Sequence, residues 1–119
     1  MAGKYRKIYW TDHVKIKMRQ YGLSKSKLLN LVYKPERTEQ GIAPGTTAVM
    51  QSKKRYPWSK PAAQKRPPGE IWLMYQDENP SAGSGQAIRK IISCWRYPGI
   101  TKPGESIPVP DDIRQELNL

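Results

Sequence analysis

The chain has 119 residues, with 21 Lys and Arg against 10 Asp and Glu and a formal net charge of +11. This length supports one domain with a single core. The single cysteine, Cys94, excludes an intramolecular disulfide and a cysteine-rich metal site, and we expect it to be an inert buried thiol. The longest apolar run, Ile71 to Tyr75, is far shorter than the about 20 residues that cross a bilayer. Because the first ten residues also lack the apolar centre of a signal peptide, we expect a cytoplasmic protein without a membrane partner.

The charge is unevenly placed along the chain. Residues 1–60 hold fourteen Lys and Arg and three acids, whereas residues 61–119 hold seven of each sign. Such polarisation indicates a positive surface directed at a polyanion, with nucleic acid as the leading candidate. The alternative is a basic protein whose charge only keeps it soluble.

The chain begins with a short predicted strand, Ile8–Trp10, followed by a predicted helix. Thr11 is a suitable N-cap and Gly22 a suitable terminator. An apolar stripe at helical spacing is formed by Val14, Met18 and Tyr21. Residues 13–18 also alternate with period two, as a strand does. The helix is preferred because both end signals agree.

A second helix is predicted from Ser24, which can cap it, to Lys34, where Pro35 stops it. Its expected buried face consists of Leu28, Leu31 and Val32. Residues 35–45 then form a turn-rich connector in which Arg37 either pairs with a neighbouring glutamate or extends the basic surface.

The second half of the chain predicts three more strands. They cover residues 46–51, 70–76 and 87–97, and the middle one is apolar enough to be a central strand. Residues 52–69 form a long loop with six basic residues, four prolines and no acid before Glu70.

These elements give the order β-α-α-β-β-β with a short C-terminal helix that starts near Asp111. The order predicts an α+β fold with a mostly antiparallel sheet and two helices packed on one face. The predicted domain covers residues 1–98, and residues 99–119 are a proline-rich tail that carries the short helix.

Familiar catalytic constellations are absent from the sequence. His13 and Cys94 are distant in sequence and no neighbouring signature supports a Cys–His pair. No glycine-rich phosphate loop lies between a strand and a helix, and the acids of the first half are too few for a magnesium site. His13 is a candidate proton shuttle. The alternative is a hydrogen-bonding residue at the start of a helix.

The remaining candidates combine basic and aromatic side chains, which neutralise phosphates and stack on unpaired bases. In the long loop we expect nucleic-acid contacts from Lys53, Lys54, Arg55, Tyr56, Trp58, Lys60, Lys65 and Arg66. The alternative is a solvated loop whose Trp58 folds back onto the core. At the end of the last strand, Arg96 lies between Trp95 and Tyr97 and points to the face opposite theirs.

Element order, small size and an arginine closing the last strand resemble the RelE/ParE-type toxin superfamily. The segments Thr11–Met18, Tyr21–Ser24 and Tyr33–Arg37 are most similar to a divergent, BrnT-like branch, which has a histidine near the start of helix one. The resemblance covers about residues 7–98.

This resemblance implies an RNA-binding, metal-independent endoribonuclease that acts on ribosome-associated mRNA without a cofactor and pairs with an acidic antitoxin-like protein. Arg96 matches the family's arginine near the end of the last strand, and Lys53 and Lys54 match its lysines before the central strand. Tyr97 is a looser match to the family's acid–base tyrosine. The central strand of this chain carries no arginine, unlike that of many active members. A non-catalytic module for binding nucleic acid or protein on the same scaffold is the alternative.

Overall fold

The computed structural model describes residues 7–53, 69–78 and 87–118, and these form a five-stranded mixed sheet with three helices. The elements are β1 (Lys7–Trp10), α1 (Asp12–Tyr21), α2 (Lys25–Tyr33), β2 (Arg37–Gln40), β3 (Thr46–Lys53), β4 (Gly69–Glu78), β5 (Ile88–Tyr97) and α3 (Asp111–Glu116). The strand order is β1-β5-β4-β3-β2. β1 runs parallel to β5, and the other neighbours are antiparallel. The predicted α+β class is confirmed.

Helix α1 forms where the sequence also allowed a strand. The Thr11 hydroxyl accepts a hydrogen bond from the Val14 amide, and Gly22 ends the helix in the left-handed region with φ of 67°. Val14 is fully buried, whereas Ile16 on the opposite side is 61% exposed. The two end signals therefore outweigh the period-two alternation, because they satisfy terminal backbone groups that would otherwise be unpaired.

Helix α2 and α1 pack on one face of the sheet, as predicted. The Ser24 hydroxyl caps α2 by accepting from the Lys27 amide. The core on this side is formed by Val14, Leu23, Leu28, Leu31, Val32, Val49, Ile71, Leu73, Tyr75, Ile91 and Cys94. Burial raises the pKa of the Cys94 thiol to about 12, so this residue is the unreactive core thiol that the sequence predicts.

Strand β2 corrects the prediction that residues 35–45 are only a connector. Arg37 donates to the Glu39 carboxylate at 2.5 Å and to the Thr101 hydroxyl at 2.6 Å. Its guanidinium also lies 5.3 Å from the Trp72 ring centroid. These contacts hold a polar four-residue segment against the edge of β3. Local pattern did not indicate it because two of the partners lie far along the chain.

The second face of the sheet is covered by the C-terminal segment (residues 98–118). Val109 and Ile113 pack there against Ala48, Met50, Trp72, Met74 and Trp95. The Trp72 and Trp95 rings stack with centroids 6.3 Å apart. The segment carries the predicted short helix and forms a layer of the fold through Val109 and Ile113.

Helix α1 runs along the edge of β5 beyond the point where β1 ends. β1 pairs with β5 only from Ile88 to Ile91. The Thr11 hydroxyl then donates to the Ile91 carbonyl at 2.8 Å, and Arg96 Nε donates to the Tyr21 carbonyl at 2.7 Å. α1 therefore lies beside the part of β5 with which β1 does not pair, and the C-terminus of α1 is close to the end of β5.

Candidate nucleic-acid interface

An open cleft of about 380 Å³ lies at the end of β5, where α1 stops. Its lining consists of Tyr21, Arg96, Tyr97, Pro98, Pro108, Val109 and Pro110. Neighbouring residues of a strand point to opposite faces, so Arg96 and Tyr97 both reach the cleft because it lies across the strand's edge. The structure therefore brings these two predicted site residues together.

The Arg96 guanidinium is held in one orientation by the end of α1. Nε donates to the Tyr21 carbonyl at 2.7 Å and Nη2 to the Gly22 carbonyl at 3.3 Å. Carbonyls at a helix C-terminus carry partial negative charge, so a cation is favoured there. Arg96 thus caps α1 and places a fixed positive charge in the wall of the cleft.

The Tyr97 ring is positioned by the glycine two residues later. A Cβ atom at Gly99 would lie 2.9 Å from Tyr97 Cε2 and 3.3 Å from its hydroxyl, so only glycine leaves this space open. Pro98-Gly99 follows the end of β5, and its glycine leaves the space that the ring occupies.

Tyr21 is a cleft residue that sequence reasoning assigned only to the apolar stripe of α1. Burial, and next the nearby Asp112 carboxylate, raise the pKa of its phenol. The hydroxyl is therefore a proton-bearing donor at neutral pH. The sequence could have indicated this role, because Tyr21 is the last residue of the predicted helix, just before Gly22.

The basic loop starts and ends beside the cleft. Lys53 at the end of β3 pairs with Gly69 at the start of β4. A Cβ atom at Gly69 would lie 2.7 Å from the Tyr97 carbonyl oxygen. The two strand ends that residues 54–68 connect are thus at the cleft's end of the sheet. Only the backbone pairing of Lys53 is described, and the predicted contacts Lys54, Arg55, Tyr56, Trp58, Lys60, Lys65 and Arg66 lie outside the described residues.

His13 lies away from the cleft. It is eight residues before Tyr21, or about 12 Å along the helix axis. Its Nε2 is 2.9 Å from the Ser93 hydroxyl and its Nδ1 is 3.2 Å from a Glu116 carboxylate oxygen. A neutral imidazole protonated at Nδ1 satisfies both contacts. The contact with Glu116 joins α3 to α1, and the Ser93 hydroxyl is fully buried in β5, so neither contact exposes a nucleophile.

Lys17 is a buried cation that sequence reasoning missed. Its side chain is 2% exposed, and Nζ contacts Asp112 at 2.7 Å, Glu116 at 2.9 Å and Gln20 at 3.0 Å. Burial alone lowers the pKa of Lys17, but the hydrogen bonds to Asp112 and Glu116 outweigh burial and raise it. The signal was its spacing, because position 17 falls between Val14 and Tyr21 on the buried side of α1.

We expect the free energy of unfolding to decrease as the pH falls through the titration of His13. Burial lowers the pKa of His13 below its ordinary 6.5, more than the Glu116 carboxylate raises it. The unfolded chain therefore binds this proton first, and the stabilisation present above pH 6.5 is lost as the pH drops through the folded pKa. Urea unfolding between pH 5 and 7.5 should show a steeper profile for the wild type than for His13→Gln. Parallel profiles would contradict this assignment.

Two classes of feature are absent from the described parts of the chain. No group of three or more His, Cys, Asp or Glu side chains is placed there to hold a metal ion. Within the same residues, no helix has both the length and the apolarity to cross a membrane.

Comparison with protein-family models, curated proteins and solved structures gives no significant match for this chain. The likeness to the RelE/ParE-type superfamily therefore stays a prediction from the sequence.

Proposed function

We propose that the protein binds single-stranded RNA and that the cleft at the end of β5 receives an unpaired nucleotide. The observation that carries the proposal is the meeting of Arg96, Tyr97 and Tyr21 in one cleft. A guanidinium attracts a phosphate, and aromatic rings stack on bases of any sequence.

The charge of the chain supports the same location. Residues 54–68 hold five cations and no acid, and they join two strands at the cleft's end of the sheet. Non-specific nucleic-acid affinity depends on such cations. The resemblance to ribosome-dependent toxins favours RNA over DNA, and ribosome-associated mRNA in the cytoplasm as its source. It also suggests an acidic partner protein that competes for the same cations.

Replacing Tyr97 with alanine should weaken binding of a single-stranded RNA 12-mer about tenfold, because one stacking platform is lost. Tyr97→Phe retains the ring and should bind like the wild type. Tyr9→Ala is the matched control, since Tyr9 is 55% exposed on β1 and pairs with Lys90, at the end of β5 opposite to the cleft. Fluorescence anisotropy with labelled RNA and DNA 12-mers measures all four proteins. Equal losses for Tyr97→Ala and Tyr9→Ala would exclude the cleft as the site, and equal affinity for DNA would remove the preference for RNA.

A second candidate function is metal-independent RNA cleavage, which the same pairing of Arg96 with Tyr97 favours. In such a reaction the RNA 2′-oxygen attacks the adjacent phosphorus and the bond to the 5′-oxygen breaks. A base takes the 2′-hydroxyl proton, an acid protonates the leaving oxygen, and a guanidinium stabilises the charge on the phosphoryl oxygens. We assign the last role to Arg96 and a proton transfer to Tyr97, whereas His13 contacts Ser93 and Glu116 away from the cleft.

Tyr97→Phe separates the two functions, because it removes the hydroxyl and keeps the ring. We expect the wild type to cut ribosome-bound mRNA to a 2′,3′-cyclic phosphate and a 5′-hydroxyl, the products of attack by the 2′-oxygen, and Tyr97→Phe to bind RNA without cutting it. If the wild type binds RNA but does not cut the mRNA, the cleavage reaction is excluded and the non-catalytic binding module is supported.

A further inference from the structure

Several cations in the described residues are paired with carboxylates, whereas the exposed cations of α1 and α2 are not. Arg37, Arg89, Lys90 and the buried Lys17 each pair with at least one carboxylate. In contrast, no carboxylate of the described residues lies within ion-pair distance of the helical basic layer, which we define as Lys15, Arg19, Lys25, Lys27 and Lys34. All five of these side chains are exposed. Mutual repulsion of uncompensated cations is relieved when a polyanion binds.

The other exposed side chains of this layer are short and polar. Between residues 12 and 32 they include Gln20, Ser24, Ser26 and Asn30, with Asp12 at the start of α1 as the acid and Ile16 as the apolar residue. None of the exposed side chains in this range is aromatic. Two aromatic rings lie next to members of the layer: Trp10, whose ring centroid is 5.5 Å from Lys25 Nζ, and Tyr33, which is 68% exposed and precedes Lys34. Residues 12–32 otherwise present cations, hydroxyls and amides, which suit phosphates and 2′-hydroxyls, and these are the groups that an A-form duplex presents.

Part of the helical basic layer lies at the same end of the sheet as the cleft. Lys27 Nζ donates to the Gln51 side chain at 3.2 Å. Gln51 pairs with Ile71, and Ile71 pairs with Arg96, so Lys27 lies at the same end of the sheet as the cleft.

We propose that the helical basic layer binds the backbone of an RNA duplex that adjoins the single strand in the cleft. This inference rests on the proposed function for its choice of RNA and names the target as a stem with a single-stranded extension. The layer supplies phosphate neutralisation, and the cleft supplies the contact to the unpaired base.

The test measures affinity against salt concentration for a blunt RNA hairpin, the same hairpin with a single-stranded extension, and the extension alone. Each phosphate contact contributes about 0.9 to the slope of log affinity against log salt for a double helix. Lys15→Gln with Arg19→Gln should therefore reduce the slope for the hairpin by about two. The control is Lys102→Gln with Arg114→Gln, which removes the same charge from exposed sites in the C-terminal segment. We expect the control to leave the slope unchanged.

Equal slopes for the two double variants would overturn the proposal, because net charge alone would then explain binding. Ile16→Ser should leave hairpin affinity unchanged, and a loss of more than fivefold would point to an apolar protein contact instead. Displacement of the hairpin by polyglutamate at matched charge would likewise overturn it. Tyr97→Ala should weaken binding of the extension alone and leave affinity for the blunt hairpin unchanged. The proposed roles of the helical basic layer and of the cleft are therefore tested separately.

Discussion

Replacing Lys17 with alanine is expected to lower the free energy of unfolding by about 3 kcal/mol, because a buried ion pair is broken by removing one partner. The change leaves Asp112 and Glu116 next to each other without their shared cation. These carboxylates are 37% and 46% exposed, so water partly replaces the lost contacts and the lower end of the usual range applies. Urea denaturation at pH 7 measures the loss.

The matched control for Lys17 is Lys15, which is exposed on the same helix. Lys15→Ala should change the free energy of unfolding by less than about 0.5 kcal/mol. Adding Asp112→Ala to Lys17→Ala should cost less than Asp112→Ala costs in the wild type, because their interaction is already gone. Equal effects at positions 15 and 17 would show that the ion pairs do not hold α3 in place.

Replacing Ile113 with alanine is expected to cost about 3 kcal/mol, as a buried large-to-small change in a core does. Ile113 is fully buried on the second face of the sheet, in the cluster that contains the stacked Trp72 and Trp95. Gln115→Ala, an exposed change in the same helix, is the control and should be nearly neutral. Thermal and urea unfolding measure both variants. A loss below about 0.5 kcal/mol for Ile113→Ala would mean that the C-terminal segment contributes little to the core.

The features predicted from sequence are those with local causes. Thr11, Gly22 and Ser24 determine the helix ends through hydrogen bonds or a backbone conformation within a few residues. The apolar run Ile71–Tyr75 of β4 and the β-branched and aromatic residues of β5 indicate strands. For these elements local propensity and the final fold agree.

The features that the sequence did not show depend on partners far along the chain. Strand β2 is fixed through Arg37 by Thr101 and Glu105, more than 60 positions away. Lys17 becomes a core residue only because Asp112 and Glu116 arrive from α3. Single-residue patterns do not encode such pairings.

The candidate site also has a part that could be predicted from local sequence and a part that depends on distant residues. Arg96 and Tyr97 were selected from the sequence as a basic and an aromatic residue at a strand end. Their shared cleft depends on Tyr21 from α1 and on residues 108–110 from the C-terminal segment. His13 was chosen by residue type and lies at the other end of α1, where it contacts Glu116.

The most direct test of the account is ultraviolet cross-linking of the wild-type protein to a single-stranded RNA that contains 4-thiouridine, with adducts located by mass spectrometry. We predict adducts on Tyr97 or Tyr21, competed by unlabelled single-stranded RNA. Adducts on the exposed Tyr9 or Tyr33, with none on Tyr97 or Tyr21, would contradict the assignment of the cleft as the RNA site.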